Sequence, residues 1–328
     1  MTEPTSDRPL VTFALFAYNQ EEFIRDAVQA ALSQTYTPLE IILSDDFSPD
    51  TTFSIMQEMA AAYDGPHRVI ARRNPLNMGT AMHVQAVANE MLGEFMVVAA
   101  GDDISRNDRV ERLIDAWDED GRKAVVLHSW TQELYEGEHN PRDIVKFKAD
   151  EELNLSWHLK THKGAILAPT AAYRKSLFED FAPLIGGSLI EDGPMIARGF
   201  LSGSFLGVPE PLVVQRKLSV SLGAGYRISD PVRWNSFVRS KMISQLTKLQ
   251  DVQRLESRPE LHRYESIILK RIKNLSRCLV QNKQVGSFGY RYYMALQLFL
   301  HYPGRYSFRG KLAFCLRFCE IFEVRFVQ

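Results

Sequence analysis

Among the places where the 328-residue chain sets acidic residues side by side, Asp45-Asp46 and Asp102-Asp103 follow apolar runs and Glu191-Asp192 follows a glycine-rich turn. The sharpest closes Glu94-Phe95-Met96-Val97-Val98-Ala99-Ala100-Gly101-Asp102-Asp103, a short, almost wholly apolar run that stops abruptly in two carboxylates. Adjacent carboxylates suit a divalent cation carrying phosphates, because hard cations prefer oxygen ligands. The competing reading is that one acid of each pair only caps a turn or the next helix. For Asp192, capping fits well, since Pro194 follows at the start of an expected helix over 194–201.

The elements that must position these acids follow from the hydrophobic pattern. The Phe95 run reads as a strand buried on both faces, as in a parallel α/β sheet. In such sheets ligands bind outside the carboxyl ends of the strands, where Asp102 and Asp103 would sit. Leu10–Phe16 is a further strand. Asn19 is a candidate N-cap with Glu22 at capping-box spacing, opening a helix to about Ser33 with Phe23, Ala27, Ala30 and Ala31 inward. Leu39–Leu43 is a strand that ends in Asp45-Asp46, and Pro49 and Asp50 suit the first turn of a helix running to about Tyr63. Arg68–Ala71 is a third strand, Arg72–Thr80 a loop, and a helix then runs to about Met91, stopped by Gly93. Asn107-Asp108 can cap a helix through Trp117, with Glu111 again at capping-box spacing, and Ala124–His128 is another strand. Strands alternating with helices at this rhythm predict βαβ units and a mostly parallel sheet.

Later segments are less regular. Ser129–Glu151 reads as a hairpin or a surface excursion, and Phe205–Val214 as a strand pair around Pro209 and Pro211. His158 and His162 are four residues apart, but no third ligand stands near them, so they read as solvated or hydrogen-bonded residues. From Pro231 the chain turns helical, with Trp234, Phe237, Met242, Ile243 and Leu246 as a core stripe.

Composition bounds the rest. With 45% hydrophobic residues the chain can build a sizeable core. The net charge of −1 points to neither nucleic acid nor an acidic ligand. From Ser266 onward there are 11 Lys/Arg against 2 Asp/Glu, so this tail carries +9 and the remainder −10. Cys278, Cys315 and Cys319 form no zinc pattern and read as thiols in a reducing compartment. No apolar run is long enough to span a bilayer and residues 1–9 are polar, so the expected location is the cytoplasm.

Taken in order, Tyr18-Asn19, Ser44-Asp45-Asp46-Phe47-Ser48-Pro49-Asp50-Thr51-Thr52, Asn74-Pro75-Leu76-Asn77-Met78-Gly79, Gly93-Glu94-Phe95 and Gly101-Asp102-Asp103 resemble the GT-A glycosyltransferases of family 2. The resemblance is close from about Pro9 to Trp117, weakens through the middle and is absent after about Ser221. It implies a GT-A (Rossmann-like) domain over 1–225, with a nucleotide-sugar-binding half at 9–128 and an acceptor and catalytic half at 129–225, then a helical C-terminal extension over 226–328. It also implies an inverting transfer from a nucleotide-diphosphate sugar, usually a UDP-sugar, to a glycan or lipid-linked acceptor, as in bacterial cell-surface polysaccharide biosynthesis.

By position, the resemblance has Tyr18 lie against the base, Asp46 hydrogen-bond it, Asn77 and Gly79 belong to the donor-binding loop, Asp102 sit near the ribose, and Asp103 ligate Mn²⁺ or Mg²⁺. Glu191-Asp192 looks like the family's Glu-Asp motif, whose Asp is the general base. Gln215-Arg216-Lys217-Leu218 stands where relatives often show Tyr-Arg-x-His; Leu218 replaces the His and leaves the third metal contact unidentified, while Arg216 or Lys217 can supply charge to the diphosphate.

Two rivals remain. A sugar-phosphate nucleotidyltransferase needs a Gly-rich phosphate loop after the first strand, and Ala17-Tyr18-Asn19-Gln20 is not one. A non-catalytic nucleotide-sugar-binding or scaffold subunit would bind donor without turnover. The basic, aromatic tail, with Phe314, Phe318 and Phe322 every four residues, reads either as an amphipathic helix packed on the enzyme or on a second copy in a homo-oligomer, or as an interfacial helix at the inner face of the cell membrane. Single-stranded nucleic acid is disfavoured by the acidic remainder.

Overall fold

The computed structural model describes residues 8–142, 144–146, 155, 158–159, 166, 168–187, 191–218, 231–255 and 261–281. His162 and the aromatic tail beyond 281 lie outside them, as does any test of how that tail packs.

The first half alternates as the pattern demands: β1 (Val11–Ala17), α1 (Ile24–Leu32), β2 (Leu39–Asp45), α2 (Thr52–Ala61), β3 (Arg68–Arg73), α3 (Thr80–Glu90) and β4 (Phe95–Ala100). Then come β5 (Ile104–Ser105), α4 (Arg109–Glu119), β6 (Ala124–Tyr135), β7 (Ile144–Val145), β8 (Ala171–Arg174), the short α5 (Ser176–Glu179), α6 (Asp192–Ser202), β9 (Ser204–Lys217), α7 (Pro231–Arg254) and α8 (His262–Gln281). The strands form one sheet in the order β3-β2-β1-β4-β8-β6-β9-β5, with β7 on β6. Strands β3, β2, β1 and β4 run parallel, β8 runs antiparallel between β4 and β6, and β6 and β9 are parallel. This is the expected α/β class, with helices on both faces of the sheet.

The side-chain period of two divides each central strand between two cores. Phe13 and Leu15 of β1 and Phe95, Val97 and Ala99 of β4 pack with α1 and α4; Ala14, Met96 and Val98 pack on the other face with α3, α6, α7 and α8. Ile243 and Leu246 of α7 share that second core, so this part of the expected stripe is interior. Among the described residues, no helix is long and apolar enough to cross a membrane.

Several local expectations are corrected. Asn19 does not cap α1: its φ is +57°, in the left-handed region, and its amide donates to Ser48 Oγ at 2.8 Å, so the helix begins at Ile24. Asp108 occupies the N-cap position of α4 without capping, because Arg106 holds its carboxylate at 2.5 and 2.8 Å. Glu111 is likewise drawn away, to Arg8 and the Thr35 hydroxyl. The strand expected over 124–128 continues to Tyr135, and the pair expected around Pro209 and Pro211 is the single strand β9. Register shifts around Ser129 and Trp130 absorb the two prolines, which a regular ladder cannot accept.

Candidate active site

The carboxyl ends of the parallel strands are tied into one edge. Gly101 N donates to Phe16 O at 2.8 Å, Asp46 N to Ala17 O at 2.9 Å and Asn74 N to Asp45 O at 2.9 Å. Tyr18, Asp46, the 74–79 loop and Asp102-Asp103 therefore emerge together, as the pattern of acidic strand ends predicts. Gly101 is required here: a Cβ would come within 2.5 Å of Gln20 Oε1 and 2.9 Å of Ala17 Cβ.

Of the first acid pair, Asp45 is structural. It accepts from Ser48 N at 2.9 Å and from the Ser48 hydroxyl, and pairs with Arg73 at 3.1 Å. Asp46 organises the 74–79 loop, accepting from Asn74 Nδ2 at 2.7 Å and from Met78 N and Gly79 N at 2.9 Å each. A carboxylate has about four acceptor sites, so about one is left for a ligand. Gly79, at φ +75°, turns its amide toward that carboxylate, and Asn77 Oδ1 accepts the same amide at 3.1 Å. Asn77 therefore shapes the loop from an exposed position. Tyr18 is 48% exposed at this edge, and Phe47, at φ +66°, is 47% exposed with the Arg73 guanidinium over its ring at 4.7 Å.

Behind Asp46 lies a residue that sequence reading missed. His83 of α3 is buried, with Nε2 at 2.6 Å from Ser44 Oγ, and Arg72 Nη1 donates to the same hydroxyl at 2.6 Å. Burial pushes the His83 pKa down to about 4, with Asp46 opposing and Arg72 assisting, so the neutral ring accepts from Ser44. A lone His on a helix carries no distinguishing sequence signal; its partner comes from another element.

The second acid pair is held by β9. Asp103 Oδ1 accepts Arg216 N at 2.9 Å, Arg216 Nη1 donates to Asp102 O at 2.9 Å, and Arg216 Nη2 pairs with Asp26 at 2.5 Å. Arg216 thus clamps the turn. Lys217 is occupied by Glu133 at 2.9 Å, and Leu218 follows at the end of the strand without a ligating group. Burial raises the Asp102 pKa, against the pull of its own backbone, Arg216 and Gln20. Burial and the Asp102 charge together push Asp103 well above the carboxylate range, against Arg216 and Lys217. Among the described residues no group of three or more His, Cys, Asp or Glu converges. Two buried hard-oxygen donors whose negative charge is under-compensated nevertheless fit a divalent cation, which relieves both desolvation and mutual repulsion.

The third pair stands at the start of α6. Asp192 is the first residue of the helix, not its N-cap, which is Glu191 without a side-chain cap; Asp192 Oδ1 accepts the adjacent Gly193 N at 2.6 Å. Burial, then the Asp192 charge, pushes the Glu191 pKa up to about 8. Burial also raises Asp192, but Lys241, the Gly193 amide and Lys248 pull it back. Both acids act electrostatically on Tyr173 of β8, opposite Met96 of β4, which sets this pair over the strand next to the central one. Lys248 is the second residue missed. The signal available was its spacing of seven from Lys241, which puts both on one face of α7.

His158, weighed as a metal ligand, instead has Nε2 3.0 Å from Lys248 Nζ and 3.1 Å from Gly193 O.

Residues 12–181, half of the chain, match the family described as Glycosyl transferase family 2. The chain belongs to the family 2 glycosyltransferases. An uncharacterised protein of Mycobacterium tuberculosis is 28% identical over 209 residues, covering 61% of this glycosyltransferase and 57% of that protein. The chain thus spans little more than half the length of such relatives. The succinoglycan biosynthesis protein ExoO of Rhizobium meliloti is 33% identical over 127 residues, 38% of this chain and 35% of ExoO. Among solved structures, Staphylococcus aureus TarS 1–349 in complex with UDP-GlcNAc aligns with a TM-score of 0.55 at 18% identity, over 95% of this glycosyltransferase and 91% of TarS. At that identity the likeness establishes the fold, which is GT-A.

Proposed function

We propose that this family 2 glycosyltransferase moves a sugar with inversion from a nucleoside-diphosphate donor, a UDP-sugar first among candidates, to a glycan or lipid-linked acceptor. The observation that carries the reading is the pairing of two kinds of acid site. Asp102-Asp103 lies at the shared strand edge beside the exposed Tyr18 ring and the residual acceptor of Asp46. Glu191 is buried and Asp192 half-buried over the neighbouring strand, with cations behind them.

In this reading Tyr18 stacks on the base, Asp46 accepts a base N–H while its other bonds hold the 74–79 loop, and Asp102 takes the ribose. Asp103, with Asp102, would hold Mn²⁺ or Mg²⁺, which when bound neutralises charge on the departing diphosphate. Asp192 Oδ takes the acceptor hydroxyl proton while that oxygen attacks the anomeric carbon from the face opposite the leaving group. Glu191, held protonated, adds no second charge beside the base. Bacterial surface-polysaccharide assembly in the cytoplasm, or at the inner face of the membrane through the tail, is the matching context; the named role of ExoO supports it.

The test is a thermal-shift screen of UDP-, GDP-, CMP- and dTDP-sugars with Mn²⁺, Mg²⁺ or EDTA, followed by transfer assays on acceptor glycans. Ligands that bind the folded state raise the melting temperature. A metal-dependent shift for one nucleotide class, abolished in Asp103→Asn, is expected. Asp192→Asn is expected to keep that shift and lose transfer. Binding without any turnover in the parent would favour a non-catalytic subunit, the reading that Leu218 in place of His keeps alive.

A further inference from the structure

Lys248 lies beyond the 12–181 segment that defines family membership, yet it is only 2% exposed. Its ammonium rests against the first turn of α6. A Cβ on Gly193 would come within 3.2 Å of Lys248 Nζ and 3.0 Å of Ser244 Oγ, so the glycine is what allows the approach. On its other side Nζ is 3.0 Å from His158 Nε2. The same Nε2 lies 3.1 Å from Gly193 O, so the imidazole ties Lys248 to the backbone of the turn that carries Asp192.

A cation is unfavourable at this spot on two counts. Helix N-termini repel positive charge, and burial strips the ammonium of water. Offsetting charge must come from neighbours. Asp192 and Asp251 favour the ammonium, whereas Lys241 from the same helix and Arg271 from α8 oppose it. Asp251 is already engaged by Arg198 at 2.9 Å, which leaves Asp192 as the carboxylate available to Lys248. In return, Lys241 and then Lys248 are the cations that favour an ionised Asp192 against its burial, with Glu191 beside it and the phenol of Tyr173 from β8 as its other titratable neighbours.

We infer that Lys248 is a positioning residue that, together with Lys241, favours the ionised form of Asp192 at the head of α6, so that α7 completes the catalytic centre. The inference rests on Asp192 being the base. A general base must be ionised before the acceptor arrives, and in so buried a site that state needs a fixed partner charge. The helical segment is then a working part of the enzyme, and a chain cut before α7 would carry the family motifs without a poised base.

The experiment is an NMR titration of the full-length protein carrying ¹³C at aspartate carboxyls, from pH 4 to 10, with Asp192 assigned by its absence in Asp192→Asn. Lys248→Met is expected to raise the Asp192 midpoint by at least one pH unit, a tenfold change in its ionisation constant, and Lys248→Arg to hold it near the parental value. A parental midpoint in Lys248→Met overturns the inference. If Lys248→Met does not fold, Lys248→Gln serves: it keeps a polar head and removes the charge, the midpoint should move in the same direction, and no movement overturns the inference. Retained transfer by Asp192→Asn would remove the base reading itself; a parental midpoint alongside inactive Asp192→Asn would remove only the role of Lys248.

Discussion

Removing Asp251 should expose how firmly α7 is fastened to the helix that carries Asp192. Arg198 of α6 and Asp251 of α7 are both fully buried and meet in a two-pronged pair, Nε to Oδ2 at 2.9 Å and Nη2 to Oδ1 at 3.2 Å. Arg198 also donates to Leu177 O at 3.0 Å and Ala182 O at 2.6 Å. Asp251→Ala would leave those two acceptors and strand the guanidinium without its anion. Orphaning one member of a buried pair costs about 3–5 kcal/mol. At about 2.1 cal/mol/K per residue, the 328 residues have an unfolding entropy near 0.7 kcal/mol/K, so the melting temperature should fall by roughly 4–7 °C.

The loss comes from the orphaned cation, because the intact pair is itself dominated by desolvation. Burial raises the Asp251 pKa despite Arg198 beside it. The double variant Arg198→Met/Asp251→Leu, which removes both charges and keeps bulk, should therefore recover most of the loss, to within about 1–2 kcal/mol of the parent. Calorimetry of the parent, both single variants and the double would decide. A fall below about 1 kcal/mol in Asp251→Ala, or a double variant no better than the single, would refute the reasoning.

Asp46→Ala should release Met78 N from its acceptor and leave Gly79 N only Asn77 Oδ1; hydrogen exchange at Met78 should accelerate at least tenfold, and nucleotide-sugar binding should fall with it. Gly93→Ala should destabilise by about 1–3 kcal/mol, since its Cβ would overlap the Thr12 amide and lie 2.6 Å from the Val11 carbonyl carbon; urea unfolding measures this, and parental stability would contradict it. Glu191→Gln should alter the pH dependence of stability. Glu191 has a folded-state pKa raised from 4.5 to about 8, so its contribution is full below about pH 4.5 and is lost as pH rises toward 8. Neutral Gln removes that decline, and the variant's advantage over the parent should grow from pH 5 to 8; parallel curves would show that Glu191 is not held protonated.

The sequence made the parallel core legible because its signals are local. The Phe95 run, the acids that end β2 and β4, and the glycine before each turn are all readable within a few residues. What escaped was whatever an element takes from a distant partner. Asn19 and Glu111 have good capping chemistry, but Ser48 and Arg8 supply bonds that local spacing cannot reveal; Asp108 is taken by Arg106, only two residues away. His83 and Lys248 escaped for the same reason, since each is defined by a group on another element. The prolines of β9 suggested two strands because the bulged register that accommodates them belongs to the pairing with β6.

The two buried acid pairs differ in what stands behind them, and that difference separates their roles. Asp102-Asp103 is faced by Arg216, whose guanidinium is spent on the Asp102 carbonyl and on Asp26, and by Lys217, spent on Glu133. Its negative charge is left for something that arrives from solvent. Glu191-Asp192 has its compensation built in, from Lys241 and Lys248, and needs no ion. A site that waits for a cation binds a diphosphate carried by one, whereas a site that brings its own cations keeps a carboxylate ready to accept a proton. Under the proposed function the same residue types divide into donor binding and base catalysis through the helices packed behind them, and α7 is the element that makes the second environment different from the first.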